Sequence, residues 1–382
     1  MIFLPLFNTS IQNMKRVFTL IAGLVFLLIF AQCKKDEEVT AENKQACEAI
    51  LFIDDNLQTQ LDRLSNYDIP EVLDALSEWV KNQEGVSAAS VKGHSLMITY
   101  VDGTIGSIDI YDESLTSDND FSELGTRMSS GVKDNIVVGN KKVLIWNAFP
   151  YTYPGIDMGD SIQAIFDAVG YPITHLREEQ CTVDALRQLT QYGYVHLITH
   201  GSPDAFATGE RVTNDNLLAH LDERALLRIR VSNLVIKKVN GYEYRGDFFV
   251  VTDKFIKHLS GQFNNAIVFN TACEGMADDS SLNDAFLSEG AATYLGFNNR
   301  VYRDFSCAVS QFVNRLMLGY GFSVGEAYDI VCGIKECKEY NKMDEETGEE
   351  VVDFITCFKM AGNRDVSWYE SFPVPTVLTT DR

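Results

Sequence analysis

The sequence predicts an α/β protein in which a mostly parallel sheet has helices on both faces and is preceded by a small α+β lobe. From Lys141 onward, short apolar runs alternate with amphipathic helical patterns, an order typical of parallel sheets. The runs are apolar along their whole length, as in strands buried on both faces. A chain of 382 residues with 46% hydrophobic content has ample apolar material for such a core.

The region before this alternating half divides into a lobe and a polar connection. Residues 34–111 contain two short amphipathic helical patterns and then the stretch HSLMITYVDGTIGSIDIYD, which predicts a hairpin turned at Asp102-Gly103. Residues 112–140 begin with a stretch rich in Ser, Asp and Gly that lacks apolar periodicity. We therefore expect residues 112–140 to be an exposed linker.

Residues 141–370 form the alternating half, which we expect to be the catalytic domain, and residues 371–382 form a C-terminal tail. The predicted strands are, in chain order, KKVLIWNAF, YPITHLRE, YVHLITHG, FFVVTDKFI, AIVFNTAC, AATYLGF and FITCFKMAGNRDV. The predicted helices cover 159–169, the residues after Thr182, 214–227, Leu282–Ser288 and two segments after AATYLGF, one of which starts with a Ser323–Glu326 capping box. Residues 204–262 form an insertion between the third strand and AIVFNTAC.

The charge of the chain bears on its partners. A formal charge of −22 argues against a nucleic-acid partner, because phosphate binding needs clustered Lys and Arg, which are absent beyond the first few dozen residues. A cationic protein or peptide partner is compatible with this acidity. Solubility of an exported protein is the simpler explanation.

The N-terminus predicts export. A Lys-Arg pair precedes an apolar run over 17–31, which suits the core of a signal peptide and is short for a membrane span. The run ends in IFAQCKKDEE, which resembles bacterial lipoprotein signals, although Gln32 departs from the usual small residue. The resemblance implies a signal peptide over 1–33 in which Cys33 is acylated. The acyl chains would tether the protein to the outer membrane, on its periplasmic or cell-surface side, without spanning it.

Further cysteines suggest disulfides in the exported chain. They are Cys47, Cys181, Cys273, Cys307, Cys332, Cys337 and Cys357. Because an exported protein meets an oxidising compartment, we expect some of them to pair, and the last three crowd one end of the chain. The pairing does not follow from the spacing. Zinc binding is disfavoured because no paired Cys or His ligands have finger-like spacing.

Two predicted strands end in residues that can perform chemistry. YVHLITHG ends in His200-Gly201, and AIVFNTAC ends in Cys273. Ligands of such sheets bind just beyond the carboxyl ends of the strands, so we expect both side chains at one edge. Gly201 would let a substrate carbonyl approach its N–H group. A single His-Gly or a single buried Cys is usually structural, whereas the pair in this order predicts a site.

These two blocks resemble a known group of enzymes. LITHGS followed by IVFNTACEG is similar to the signature blocks of the caspase, legumain, clostripain and gingipain superfamily of cysteine peptidases, and most similar to its gingipain- and clostripain-like bacterial branch. The resemblance covers about residues 141–368 and implies a caspase-like three-layer sandwich. The match is imperfect in the last strand, where Gly362 is followed by Asn363 and not by the usual Asp-Pro.

The resemblance implies a cysteine endopeptidase with a Cys–His dyad and a protein or peptide substrate. Cys273 would form a thioester with the substrate, and His200 would protonate the leaving amine. The backbone N–H groups of Gly201 and Cys273 would form the oxyanion hole. Two alternatives stay open: a transamidase or ligase that uses the same acyl-enzyme, and a catalytically silent binding protein, which the presence of both dyad residues disfavours.

The resemblance also indicates a specificity pocket. In relatives, the segment after the strand that follows the nucleophile lines the pocket for the residue before the scissile bond, and here that segment is NNRVYRDF. Asp304 would favour Arg or Lys in the substrate, whereas Arg300 or Arg303 would favour an acidic residue. Bacterial relatives mostly prefer basic residues, so the resemblance leans towards basic substrates.

The sequence singles out neither a third catalytic residue nor a metal site. Asp157 and Asp160 follow the first strand and could reach the site, but they fit better as acids at a helix N-terminus, where the helix dipole stabilises them. Relatives contain calcium sites. The Asp278-Asp279 pair is too generic to support one, so we predict no cofactor and no metal.

Overall fold

A computed structural model describes residues 39–112, 136–150, 157–343 and 350–369. The chain divides into two compact units, Met1–Lys44 and Gln45–Arg382. Within the first unit the structure describes residues 39–44, where the first helix begins. The candidate catalytic residues belong to the second unit.

Several sequence predictions concern residues outside this description. They are the signal peptide over 1–33 with the lipidation site Cys33, most of the linker over 112–140, and the tail over 371–382. These stay predictions. Within the part of the chain that the structure describes, no helix has both the length and the apolar character needed to cross a membrane.

Most helices begin where the sequence predicts them. The described helices are α1 Ala41–Arg63, α2 Ile69–Lys81, α3 Met158–Asp167, α4 Val183–Leu186, α5 Asn214–Ala219, α6 Leu221–Ala225, α7 Asp253–Ile256, α8 Leu282–Ser288, α9 Arg303–Tyr320 and α10 Val324–Lys335. Side chains cap two predicted starts. The Thr182 hydroxyl accepts from the N–H of Ala185, and Ser323 and Glu326 form the predicted capping box.

The strands form two large sheets and one short pair. They are β1 Val86–Lys92, β2 Ser95–Tyr100, β3 Ile105–Asp112, β4 Ile136–Val137, β5 Val143–Asn147, β6 Ile173–Arg177, β7 Tyr194–Ile198, β8 Gly201–Ser202, β9 Ala205–Arg211, β10 Ile229–Lys238, β11 Gly241–Thr252, β12 Ala266–Asn270, β13 Ala291–Phe297, β14 Cys337–Met343, β15 Glu350–Gly362 and β16 Val366–Ser367. The short pair is formed by β4 and β16.

The central sheet has the order β14-β15-β13-β12-β7-β5-β6. The strands from β13 to β6 run parallel, whereas β15 is antiparallel to β13 and β14 is antiparallel to β15. The predicted α/β class is confirmed. The sheet is mixed because its last two strands form an antiparallel pair at one edge.

Helices cover both faces of the central sheet. Side chains alternate between the faces along each strand. In β5, Val143 and Ile145 join a core that includes Ile162 of α3 together with residues of α9 and α10. Leu144 and Trp146 join the opposite core, which includes residues of α4 and α8. Burial on both faces explains why these strands are apolar throughout.

The second sheet has the order β1-β2-β3-β10-β11-β9-β8. The predicted hairpin is present, because β2 and β3 pair antiparallel on either side of the Asp102-Gly103 turn. β3 also pairs in parallel with β10, from Gly106 to Asp112. Strands of the predicted N-terminal lobe and strands of the insertion therefore share one sheet.

The insertion differs from its prediction in three places. The helix predicted over 214–227 is two short helices, α5 and α6, which meet at His220. Only part of FFVVTDKFI is a strand, because β11 ends at Thr252 and the next four residues form α7. Two strands that pair with β11, namely β9 and β10, were not predicted. β10 buries the polar residues Ser232 and Asn233, so its sequence lacks a clear apolar pattern.

Candidate active site

The two predicted strand ends lie beside each other. β7 and β12 are adjacent parallel strands in which Leu197 pairs with Asn270. His200 lies two residues beyond β7, and Cys273 lies three residues beyond β12. The N–H and the hydroxyl of Thr271 both donate to the carbonyl oxygen of Leu197, at 2.9 and 2.8 Å. Both candidate residues therefore leave the sheet at the same edge.

Gly201 allows these two segments to approach closely. A Cβ atom on Gly201 would lie 2.8 Å from the Cβ of Ala272, 2.9 Å from the carbonyl oxygen of Ala205 and 3.5 Å from that of Cys273. The two shortest distances are below normal non-bonded separations. A side chain at this position would push apart the segments that carry His200 and Cys273. The missing side chain of Gly201 and the small side chain of Ala272 therefore let the two segments pack closely.

His200 lies where the chain passes from the central sheet into the second sheet. Its carbonyl oxygen accepts from the N–H of Ala207 at 2.9 Å. The hydroxyl of the preceding Thr199 donates to the carbonyl oxygen of Ala207 at 2.6 Å. The imidazole contacts two aromatic rings, with centroid separations of 4.6 Å to Tyr111 and 4.7 Å to Phe149. Hydrogen bonds hold the backbone, and ring contacts orient the imidazole.

The thiol of Cys273 lies against the loop that follows β13. The N–H of Val301 donates to its Sγ at 3.4 Å. Burial raises the pKa of the Cys273 thiol to about 11, and the Glu274 carboxylate adds to the rise, while the Val301 N–H and the Arg300 guanidinium oppose it. The thiol is therefore protonated at neutral pH and needs a base before it can act as a nucleophile.

Residues missed by the sequence analysis hold the turn after β12. Asn270 is fully buried, and its Oδ1 accepts from the N–H of Ala272 at 3.0 Å. Its amide donates to the Tyr294 hydroxyl at 2.7 Å. Glu274 has a φ of 58°, in the left-handed region that non-glycine residues rarely adopt, and its N–H donates to Asn299. A polar Asn at the end of the apolar run AIVF was the available signal.

The loop over 298–302, between β13 and α9, is anchored to β15. The N–H of Asn298 donates to the carbonyl oxygen of Cys357 at 3.1 Å, and its Oδ1 accepts from the Cys357 N–H at 2.7 Å. The Thr356 hydroxyl donates to the carbonyl oxygen of Arg300. β15 therefore fixes the loop whose Val301 N–H binds the Cys273 sulfur.

The expected pairing of cysteines occurs beside this loop. Cys337 and Cys357 form a disulfide, whereas Cys332 is a free thiol. The bridge joins directly paired residues of β14 and β15. The disulfide therefore fastens β14 to Cys357 of β15, whose backbone holds Asn298 in the loop.

One of the predicted specificity residues, Asp304, is poorly placed to select a substrate charge. Asp304 is buried and forms an ion pair with Lys338, which is also buried. A buried ion pair of this kind neutralises the carboxylate within the protein. Arg303 is exposed at the start of α9.

The third specificity residue, Arg300, lies closer to the thiol. Its guanidinium lies over the ring of Phe354 at 4.4 Å and is 3.4 Å from the carboxylate of Asp353. Of the three predicted residues, it is the one whose charge lowers the pKa of Cys273. Arg300 is thus the candidate for an electrostatic role beside the nucleophile.

Asp157 and Asp160 serve the helix that begins beside them. The Asp157 carboxylate caps α3 by accepting from the N–H of Asp160 at 3.0 Å, and it also accepts from the Asn147 amide at 2.9 Å. With His175, these acids form a cluster whose ligand atoms lie within 4.8 Å of one another. Arg177 forms ion pairs with both acids and lies 3.1 Å from the His175 Nδ1. Its guanidinium already supplies positive charge there, so we assign no metal to the cluster.

No protein-family model matches the chain, and no curated protein matches it either. The two short motifs around His200 and Cys273 and their geometry are therefore the features of the chain that bear on its function. Both motifs lie at strand ends, where side chains from distant parts of the sequence meet.

Proposed function

We propose that the protein is a cysteine endopeptidase related to the caspase, legumain, clostripain and gingipain superfamily, with His200 and Cys273 as its catalytic dyad. The observation that supports this most strongly is the close approach of Gly201 to Ala272 and Cys273, beyond two adjacent parallel strands. Side-by-side strands that end in His-Gly and Ala-Cys are what the resemblance implies. Helices on both faces of the central sheet support a caspase-like three-layer sandwich.

Catalysis begins with proton transfer, because the resting thiol is protonated. His200 accepts the S–H proton while the Cys273 sulfur bonds to the carbonyl carbon of the scissile peptide, whose oxygen becomes an oxyanion. When the oxyanion collapses, the C–N bond breaks and the imidazolium gives its proton to the departing amine. Water, deprotonated by His200, then adds to the thioester. The S–C bond breaks, the acid product leaves, and the sulfur regains a proton from the imidazolium.

The oxyanion would be stabilised by the backbone N–H groups of Gly201 and Cys273. Gly201 belongs to β8, which pairs with β9, and Cys273 follows the turn held by Asn270. Rigid donors at these positions cost no reorganisation during the reaction. Removal of one such donor typically raises the barrier by about 2.7–4 kcal/mol.

We infer that the protein acts on proteins or peptides outside the cytoplasm. The Cys337–Cys357 disulfide supports an oxidising compartment. The predicted signal peptide over 1–33 supports the same location. Acylation of Cys33 would confine membrane contact to a lipid anchor.

A panel of peptide acyloxymethyl ketones tests the nucleophile. We expect one adduct, on Cys273, located by mass spectrometry, and loss of peptide hydrolysis in Cys273→Ala and in His200→Ala. Cys332→Ala is the matched control, because it removes another free, partly buried thiol. Labelling of a different cysteine, or undiminished hydrolysis by Cys273→Ala, would refute the proposal. An added amine distinguishes a transamidase, because only a transamidase would form products that contain the amine.

The same panel, varied at the residue before the reactive group, tests specificity. We infer that Arg300 supplies the charge of the pocket, since the Asp304–Lys338 pair is buried, whereas the Arg300–Asp353 pair is partly exposed. The geometry then favours Asp or Glu before the scissile bond, in contrast to the basic preference that the resemblance suggests. Arg300→Gln should reduce labelling by the acidic probes more than labelling by a neutral probe, whose smaller loss reports the rise in the thiol pKa. If Arg or Lys probes label the wild type faster than acidic probes do, this inference is wrong and the preference is basic.

A further inference from the structure

The last residues of β3 reach the candidate active site. β3 runs parallel to β10 as far as Asp112, which is paired with Lys237. The Lys237 ammonium also lies 3.8 Å from the Asp112 carboxylate. The end of a strand from the predicted N-terminal lobe is thus fixed by the main chain of the insertion.

Tyr111, the residue before the end of β3, contacts the imidazole of His200. The ring centroids are 4.6 Å apart, and the planes are inclined by 42°. Phe149, which follows β5, approaches the same imidazole edge-on at 4.7 Å. Both aromatic residues pack on a small buried cluster formed by Leu234, Ile236 and Phe248. Rings that extend from both sheets therefore set the orientation of the imidazole.

Asp112, the last residue of β3, supports the loop beside Cys273, the other residue of the proposed dyad. Its carbonyl oxygen accepts from the Tyr302 hydroxyl at 2.9 Å. Tyr302 directly follows Val301, whose N–H donates to the Cys273 sulfur. The Tyr302 ring also packs against Tyr340, with centroids 4.8 Å apart. A bond that fixes Tyr302 therefore also fixes the donor to the thiol.

We propose that Tyr111 and Asp112 are positioning residues of the dyad, Tyr111 for His200 and Asp112 for the loop that holds Cys273. This inference rests on the proposed function and adds that the N-terminal lobe completes the active site. If the lobe were instead an inhibitory segment that is removed on activation, we would expect few hydrogen bonds to hold it to the rest of the chain. β3 instead forms ladders with both β2 and β10, so it is built into the sheet.

The first experiment compares Tyr111→Ala with Tyr111→Phe. The alanine variant should lose kcat by about ten- to a hundredfold, because a small displacement of a catalytic group has effects of this size. KM should change little, because a residue that only positions His200 acts on the chemical step and not on substrate binding. The phenylalanine variant keeps the ring and should recover most of the lost kcat. Tyr67→Ala removes a half-exposed tyrosine from the same lobe and should behave as the wild type.

A double variant separates positioning from general destabilisation. If Tyr111 acts through His200, its ring has nothing to position once the imidazole is absent. Tyr111→Ala combined with His200→Ala should then hydrolyse peptide no more slowly than the residual rate of His200→Ala alone. The pH–rate profile of Tyr111→Ala should approach that of His200→Ala, whereas a smaller folded fraction alone would leave its shape unchanged.

Tyr302→Phe tests the Asp112 contact, since a main-chain carbonyl cannot be removed by substitution. Without the hydroxyl, Val301 should hold the sulfur less firmly. Because the Val301 N–H lowers the thiol pKa, we expect slower alkylation of Cys273 by iodoacetamide at a given pH. Tyr320→Phe is the matched control, because Tyr320 is exposed at the end of α9. Equal alkylation rates in both variants would refute the Asp112 role.

The outcomes for Tyr111 are separable from those for the proposed function. If cleavage does not depend on Cys273, the proposed function fails. If cleavage depends on Cys273 and Tyr111→Ala is as fast as the wild type or faster, the function stands and the positioning role of Tyr111 is wrong.

Discussion

The resting protonation of Cys273 gives the site a specific pH dependence. Because burial raises the thiol pKa to about 11, the thiolate is a minor species at neutral pH. Below the pKa, the thiolate fraction grows tenfold with each pH unit. We expect the alkylation rate of Cys273 to rise about tenfold per unit between about pH 7 and pH 10, measured by mass spectrometry. A rate that is constant across neutral pH would instead indicate a resting thiolate–imidazolium pair.

Gly201 should tolerate no side chain. In Gly201→Ala the new Cβ would meet Ala272 and the carbonyl oxygen of Ala205. We expect a destabilisation of about 1–3 kcal/mol and a loss of kcat, measured by urea unfolding and peptide hydrolysis. Gly319→Ala, in α9, adds a Cβ with nothing within 4 Å and should be neutral or stabilising. Full activity of Gly201→Ala would show that the two segments can separate without harm.

Asp247 links stability to pH through a buried carboxyl group. It lies in β11, and its Oδ2 has no hydrogen-bond partner among the described residues. Burial raises the pKa of Asp247 to about 7, and the Asp54 carboxylate adds to the rise. In the unfolded chain an aspartate releases its proton near pH 4. Between about pH 4 and 7 the folded state thus holds more protons, and stability falls as pH rises.

Asp247→Asn should remove this contribution. The variant should be more stable than the wild type, and the difference in the free energy of unfolding should increase by about 1.4 kcal/mol per pH unit between about pH 5 and 7. Urea unfolding at several pH values measures it. Asp55→Asn, at an exposed position on α1, should show no such growth. A gain that is independent of pH would indicate a packing effect.

At the scale of elements, the sequence predicts best those strands that are buried on both faces. YVHLI and AIVFN are buried along their whole length, so their apolar runs are continuous. Their ends located His200 and Cys273, because polar and reactive residues interrupt the apolar run there. β10 was missed because its buried Ser232 and Asn233 are satisfied by Asp109 and Ser107 of β3. Such partners are distant in sequence and invisible to a local pattern.

The β14–β15 hairpin should support the active site from a distance. Its disulfide closes a segment with a sequence separation of 20, and such a closure typically contributes about 3 kcal/mol. In Cys337→Ser/Cys357→Ser we expect faster hydrogen exchange in β15 and a lower kcat, because Cys357 holds Asn298. Cys332→Ser, which removes a free thiol nearby, should change neither measurement. An unaltered kcat in the double variant would separate the hairpin from catalysis.

For the molecule as a whole, residues 141–368 were enough to predict that His200 and Cys273 follow neighbouring strands, but not what surrounds them. Tyr111 and Asp112 belong to the predicted lobe, and their contacts depend on the parallel pairing of β3 with β10. Parallel pairing between distant segments leaves no turn signal in the sequence. Because β7 leads into β8, His200 lies at the junction of the two sheets. The site is therefore formed by both sheets together.

This arrangement predicts that the lobe and the central sheet unfold together. Ile108 in β3 is fully buried in a core that also contains Val268 of β12. Ile108→Ala should cost about 2–5 kcal/mol, and hydrogen exchange should report the same loss in β3 and in β12. Val91→Ala, at an exposed position on β1, should change neither strand. If only β3 lost protection, the lobe would be an independent domain, and its β3 end could not hold Tyr111 rigidly against His200.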